Sequence, residues 1–330
     1  MSARSRLVTA VVLLFGLSLA MPLAVSQAQN RSAEVESLTM QVLDLNNQHH
    51  VAPPAKQSQL LNELIRVVMV RKGLLADLIE NDPKEALRLG MPEHSRTGLH
   101  PKIQAHVEEA LSAEGTLQIL HEDRDQGSRY LHFLWAGPDT RYALHFASKP
   151  RALKTGDHVQ VTGLHLNGAL ALSGSNMTVL AAALPNTLGA QKTLMILVNF
   201  QDNAAQPYSP TEALSVLSTT SGFDMENSYQ QTWLTSDVAG WFTIPMSSSV
   251  CDYGTLASYA NSAAAAAGFN LSAYPRHVYA FPSNACGWWG LGTVGGNPSQ
   301  AWINGSLELR VLGHEMGHNL GLYHSHAWAC

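Results

Sequence analysis

Cysteine is missing from the first 250 residues of this 330-residue chain, which holds only Cys251, Cys286 and Cys330. No thiolate can therefore act from the N-terminal part. In an oxidising compartment Cys251 and Cys286 can close a disulfide and leave Cys330 over; three free thiols are the other arrangement. An odd final cysteine points to a partner in sequence beyond Cys330. Positive charge is also scarce. Twenty Lys and Arg against 25 Asp and Glu give a formal charge of −5, and no run of basic and aromatic residues offers a surface to nucleic acid. Long apolar runs are absent after the N-terminus, where none reaches the ~20 residues of a membrane-spanning helix. The N-terminus itself has Arg4 and Arg6, an apolar stretch from Leu7 to Ala20, Pro22, and then small residues at Ser26-Gln27-Ala28. This is the order of a secretory signal peptide cleaved after Ala28, an uncleaved anchor being the alternative. The expected product is soluble and exported, either secreted and extracellular or periplasmic.

The rest reads as three regions. Residues 29–114 form a helical pro-region. Its lead-in to Lys56 is polar and reads as unstructured or loosely helical, with the His49-His50 pair in it. Leu60, Leu61, Leu64, Val67 and Val68 then recur at helical spacing, as do Leu74, Leu75, Leu78 and Ile79. Asp82-Pro83 reads as a cap followed by a first helical residue, and Ile103 to Leu111 as one further short helix. Residues 115–184 change to short strand runs at 116–120, 130–134, 142–146, 159–163 and 169–172, separated by turn residues. A small antiparallel barrel or sandwich is expected. The segment Lys154-Thr155-Gly156-Asp157-His158-Val159-Gln160-Val161-Thr162-Gly163 resembles a strand of OB-like barrels. From 185 to 330 strands alternate with helices. Thr193–Phe200 is the first core strand, Pro210–Leu217 and Glu226–Trp233 are helical, Trp241–Met246 is an edge strand, Tyr253–Ala267 is a helix and His277–Phe281 a strand. The glycine-rich stretch from Cys286 to Gly296 reads as a loop, either bland or set beside a cleft.

One stretch carries chemistry: His314-Glu315-Met316-Gly317-His318-Asn319-Leu320-Gly321-Leu322-Tyr323-His324. Residues four apart share a helix face, so His314 and His318 can present two imidazoles to one Zn²⁺. Glu315 stands next to them, where it can take a proton from a metal-activated water. Gly321 can adopt positive φ and turn the chain back, bringing His324 round as a third ligand. Three protein ligands leave the fourth position open, as in catalytic zinc sites. Leu307, Val311 and Leu312 precede the site at helical spacing, and Ser306 is placed to cap the helix. Ordinary surface histidines would not reproduce five residue types at these offsets.

The long motif resembles that of the metzincin metalloproteases. Its flanks, Gly313 to Ser325, look most like the gametolysin-type peptidases. Weaker similarity extends back to Leu194 through Glu226-Asn227-Ser228-Tyr229, Thr232-Trp233-Leu234-Thr235, Asp237-Val238-Ala239-Gly240 and Cys286-Gly287-Trp288. The resemblance implies one catalytic zinc on His314, His318 and His324, with Glu315 as the catalytic residue. It also implies a methionine-containing turn after the third histidine. Only Ser325 to Cys330 follow His324 and none is Met. The expected architecture is thus α+β: a helical presegment, a small OB-like barrel, and a metzincin-like α/β zinc-protease domain without its C-terminal lobe. The expected function is that of a secreted zinc endopeptidase acting on extracellular or cell-wall proteins, made as a preproprotein. Latency would rest on steric blocking or on a ligand such as a carboxylate. The competing function is a catalytically impaired zinc-binding envelope protein that docks glycan or protein through the barrel. A structural zinc with His326 as fourth ligand is a third.

Overall fold

The computed structural model describes residues 20–124, 127–150 and 153–324, and the chain divides into two compact units. The signal-peptide reading falls mostly on residues 1–19, outside the described residues. Among the described residues no helix is long and apolar enough to cross a membrane.

The first unit comprises the chain to Leu111 together with Leu164–Ala171. Helices α1 (Ala20–Val51) and α2 (Pro54–Asn81) lie against each other, followed by the short α3 (Pro83–Leu89), α4 (Glu93–Thr97) and α5 (Pro101–Gln104). The lead-in to Lys56 is thus regular helix rather than loose chain. Val35 and Val42 are fully buried, and Leu38 and Leu45 pack beside them. This sparse stripe, seven residues apart in two pairs, is hidden among polar side chains but suffices to bury one face. Asp82 caps α3 as its sequence implies, its carboxylate accepting from the Glu85 N–H at 3.1 Å. The helix expected over 103–111 is corrected. It stops after one turn at Gln104, and strand β1 (Glu109–Arg124) begins five residues later. Buried Glu108, gripped by Arg71 of α2, holds the chain in that non-helical course.

The second unit comprises Ser112–Gly163 and Leu172–Cys330. All five expected strand runs are present, in β1, β2 (Gly127–Trp135), β3 (Arg141–Phe146), β4 (His158–Leu166) and β5 (Ala169–Leu172); β6 (Met177–Ala181) follows. Strands β1, β2 and β3 pair antiparallel in chain order, and β4 pairs with β6 and with β1. Downstream come β7 (Gly189–Phe200), α6 (Pro210–Asn227), β8 (Thr232–Ile244), α7 (Tyr253–Ala266), β9 (Arg276–Phe281), β10 (Gly290–Thr293), β11 (Ser299–Asn304) and α8 (Leu309–Asn319). The fold is mixed α+β with one large sheet. From β1 the hydrogen-bonded order continues β10-β11-β9-β7-β8, with β7 parallel to both neighbours and β10 antiparallel to both of its own.

Strand β7 reads as a continuous apolar run because both its faces are covered. Leu194, Ile196, Val198 and Phe200 join Leu256, Ala260 and Ala264 of α7 on one side. Met195 and Leu197 meet Ala213 and Leu217 of α6 and Val311, Leu312 and Met316 of α8 on the other. β8 closes the order, which fits Pro245 just beyond its end. Two expectations are corrected here. Helix α6 ends at Asn227, and the stretch to Trp233 turns through left-handed Tyr229 and Gln230 into β8. The glycine-rich stretch is not all loop, since Gly290–Thr293 is a fully buried strand.

Candidate metal centre

Helix α8 positions the histidines through its opposite face. Val311, Leu312 and Met316 sink into the core beneath the sheet, which leaves His314 part-exposed at the surface of the helix. The helix starts after Glu308, not at Ser306 as its sequence implies, and Glu308 makes no side-chain cap. At the other end the turn is as expected. Gly321 has φ of +89°, and the Gly321 and Leu322 N–H groups donate back to the His318 and Gly317 carbonyls at 2.7 and 3.1 Å. Buried Asn319 fastens this end to the sheet. Its amide donates to the Thr293 and Gln300 carbonyls at 3.1 and 2.9 Å, and its own carbonyl oxygens accept from Ser299 and Arg276.

The three predicted ligands come together. His314 Nε2 lies 3.1 Å from His318 Nε2 and 3.0 Å from His324 Nε2. Tetrahedral zinc with Zn–N of roughly 2.0–2.1 Å sets its nitrogens about 3.3 Å apart, close to this spacing. The Nδ1 of His318 lies 2.8 Å from the Leu322 carbonyl. Donation there puts the proton on Nδ1 and leaves Nε2 as an electron-pair donor, the usual way a ligating imidazole is oriented. His324 is held by its own N–H donating to the Tyr130 hydroxyl at 3.2 Å. The donor set and its spacing fit a zinc ion.

Glu315 is buried, and its Oε2 has no hydrogen-bond partner among the described residues. Burial, and then the charge of neighbouring Asp123, push its carboxyl well above the usual range. The space for it comes from β10. A Cβ on Gly290 would stand 1.9 Å from Glu315 Oε1, and one on Gly292 2.8 Å from Oε2. The glycine-rich segment therefore lies against the site, and its glycines are the room that Glu315 occupies.

Two residues that sequence reasoning missed complete the cluster. His121 and Asp123 of β1 gather with His314, His318 and His324, one ligand atom of each lying within 4.8 Å of the others. Asp123 Oδ2 is 2.9 Å from His314 Nε2 and 3.8 Å from His318 Nε2, and Oδ1 is 3.5 Å from His324 Nε2. His121 Nδ1 meets Asp123 Oδ2 at 3.1 Å, and the His121 ring packs 4.3 Å from that of His318 and 4.2 Å from that of His324. Burial works against the Asp123 charge, but the surrounding histidines, His121 first and then His314 and His318, outweigh it and hold the carboxyl well below its ordinary range. Nothing in the local run His121-Glu122-Asp123-Arg124 marks it as a ligand stretch; only the strand pairing does. Beside the cluster His314, His318 and His324 also line a cavity of about 790 Å³, whose wall includes Phe223, Leu309 and Leu322.

Cys251 and Cys286 form a disulfide, so the three-free-thiol arrangement is excluded. Cys330 and the expected fourth ligand His326 lie outside the described residues. No curated protein matches the chain. A family comparison does match, to the gametolysin peptidase M11 family over residues 217–329. That span contains all three converging histidines and Glu315, and the match supports a gametolysin-type metallopeptidase.

Proposed function

We propose that the chain is a secreted zinc endopeptidase in which His314, His318 and His324 hold the ion and Glu315 is the general base. The observation that carries this reading is the convergence of three ring nitrogens beside a buried, unpartnered carboxyl oxygen. The family match supports it by implying a metal-dependent peptidase and a protein or peptide substrate. His314, His318 and His324 would hold the ion, which would supply a Lewis acid for the scissile carbonyl and for water. The Glu315 carboxylate accepts the proton of the attacking water and, once protonated, delivers it to the leaving amine. Burial between α8 and β10 excludes bulk water from the carboxylate and fixes its direction.

The finer layout belongs to the same proposal: a signal peptide over 1–28, a pro-region over 29–114, an accessory region over 115–184 and the peptidase from 185. We read the accessory region as an OB-like barrel. The antiparallel course β1-β2-β3, the β4–β1 pairing and the Ala147 N–H to Leu172 carbonyl bond at 2.8 Å are its support. Extracellular or cell-wall proteins are the substrate class that follows from export.

The test is a pair of variants of the full chain. His318→Ala is expected to lose stoichiometric zinc in equilibrium dialysis. Glu315→Gln is expected to keep zinc while hydrolysis of an unfolded protein substrate, measured with Asp123 also replaced by Asn in both proteins, falls about 10²–10⁴-fold, the range of a general base. Hydrolysis that survives Glu315→Gln undiminished sinks the assignment.

A further inference from the structure

We propose that Asp123 is an internal ligand that closes the metal centre, so that strand β1 holds the intact chain latent. The proposal rests on the histidine site above and assigns a role to residues outside it. Its ground is the position of the carboxylate. The two Asp123 oxygens lie between 2.9 and 3.8 Å from the Nε2 atoms of all three histidines. With Asp123 the donors number three imidazoles and one carboxylate. Four protein ligands make a closed centre, in contrast to the three plus water of a catalytic one.

The placement is built by the fold. β1 runs antiparallel along β10, with Leu120, His121, Glu122 and Asp123 opposite Thr293, Gly292, Leu291 and Gly290. The Trp289 N–H donates to the Asp123 carbonyl at 3.1 Å and locks that end of the register. Alternation along a strand then sends His121 and Asp123 to one face and Leu120 and Glu122 to the other. Leu120 enters the core on the α7 side, and Glu122 pairs with Arg124 and Arg129 at 2.8 and 2.5 Å. His121, fully buried, bridges the arrangement by bonding Asp123 while its ring covers those of His318 and His324. A one-residue slip would exchange the faces and bring Glu122 instead.

Strand β1 also takes the hydrogen bonds of the β10 edge, where an extended peptide would otherwise add. Loss of the carboxylate opens the metal, and full activation requires β1 to leave β10 as well, whether by cleavage of the chain or by displacement. No thiol takes part, in keeping with the absence of cysteine before Cys251.

Cobalt provides the probe, because its visible spectrum reports ligand number. The full-length chain is loaded with one Co²⁺ and titrated with acetohydroxamate, and Asp123→Asn, which keeps the shape of the side chain, is treated alike. The wild-type spectrum is expected to resist hydroxamate, whereas the Asn variant should bind it at least tenfold more tightly and hydrolyse a quenched peptide at least tenfold faster. Equal hydroxamate affinity in the two overturns the role of Asp123 and leaves the histidine site standing. Failure of both proteins, and equally of His318→Ala, to differ from a no-site control in cobalt uptake overturns the histidine site itself. Should the Asn variant misfold by circular dichroism, the wild type still decides: a spectrum that shifts at micromolar hydroxamate shows an open centre and refutes the proposal.

Discussion

At the scale of single residues, the site depends on side chains that are missing as much as on those present. Gly290 faces Glu315 so closely that an added Cβ would fall 1.9 Å from its Oε1, well inside contact distance. Gly290→Ala must therefore push the carboxylate aside or force β10 away from α8. A displacement of about 1 Å at a catalytic group costs on the order of 10²-fold in rate. We expect that loss when Gly290→Ala is added to the Asp123→Asn background, where the centre is open, with zinc content unchanged. Gly287→Ala, whose new methyl would meet nothing within 4 Å, is the control and should keep the parent rate. A Gly290→Ala protein as fast as its parent would show that Glu315 is not held where the proton must go. The histidines and Glu315 were legible in the sequence because one helix and one turn set their spacing, and both are local. His121 and Asp123 were not. They reach α8 only through the β1–β10 register, which joins residues far apart in the chain. The sequence left latency to steric blocking or to a ligand such as a carboxylate, without saying where either would stand.

At the scale of elements, the helical unit is pinned by one buried ion pair. Arg71 of α2 grips Glu108 with two bonds of 2.6 and 2.8 Å, both side chains being almost wholly buried. Arg71 also donates to Thr39 of α1, and Glu108 accepts from the Met91 N–H at 2.6 Å. Removing one partner of such a pair leaves the other charge buried and uncompensated, at a cost of about 3–5 kcal/mol. Glu108→Ala should lower stability by that amount at pH 7 in urea unfolding followed by far-ultraviolet circular dichroism. Burial works to raise the Glu108 carboxyl, but the Arg71 bonds outweigh it and the folded value lies below the ordinary 4.5. The unfolded chain then binds the proton more readily, so this stabilisation is present above pH 4.5 and fades as pH falls through the folded value. The difference between wild type and variant should therefore shrink on acidification below about pH 4.5; a difference that stays constant to pH 3 would refute the linkage. Helices α2 and α3 were readable from their apolar spacing and from Asp82-Pro83. Helix α1 was hidden by the sparseness of its stripe. Strand β10 was hidden because the glycines that make room for Glu315 also erase any alternating pattern.

At the scale of the whole molecule, the compact units interleave along the chain. Leu164–Ala171 counts with the helices, returning through a two-residue turn at left-handed Asn167 and Gly168, while the residues on either side count with the large sheet. A linear scan follows composition and cannot see such an exchange. What it can see is the pair of cysteines flanking α7 and β9. The disulfide they form spans 35 residues and ties the start of α7 to the segment that enters β10. Closing a loop of this length removes unfolded-state entropy worth roughly 2–4 kcal/mol. We expect the double variant Cys251→Ser/Cys286→Ser to unfold at lower urea concentration by that free energy. Trp288, buried two residues beyond Cys286, makes tryptophan emission a reporter of this region. Both cysteines must be changed, since a single replacement frees a thiol for exchange. The variant should also lose peptidase rate in the Asp123→Asn background, because the strand bearing Gly290 begins four residues after Cys286 and loses its tether. An unchanged unfolding midpoint would mean that the sheet alone holds this segment, and an unchanged rate that β10 needs no tether to keep Glu315 in place.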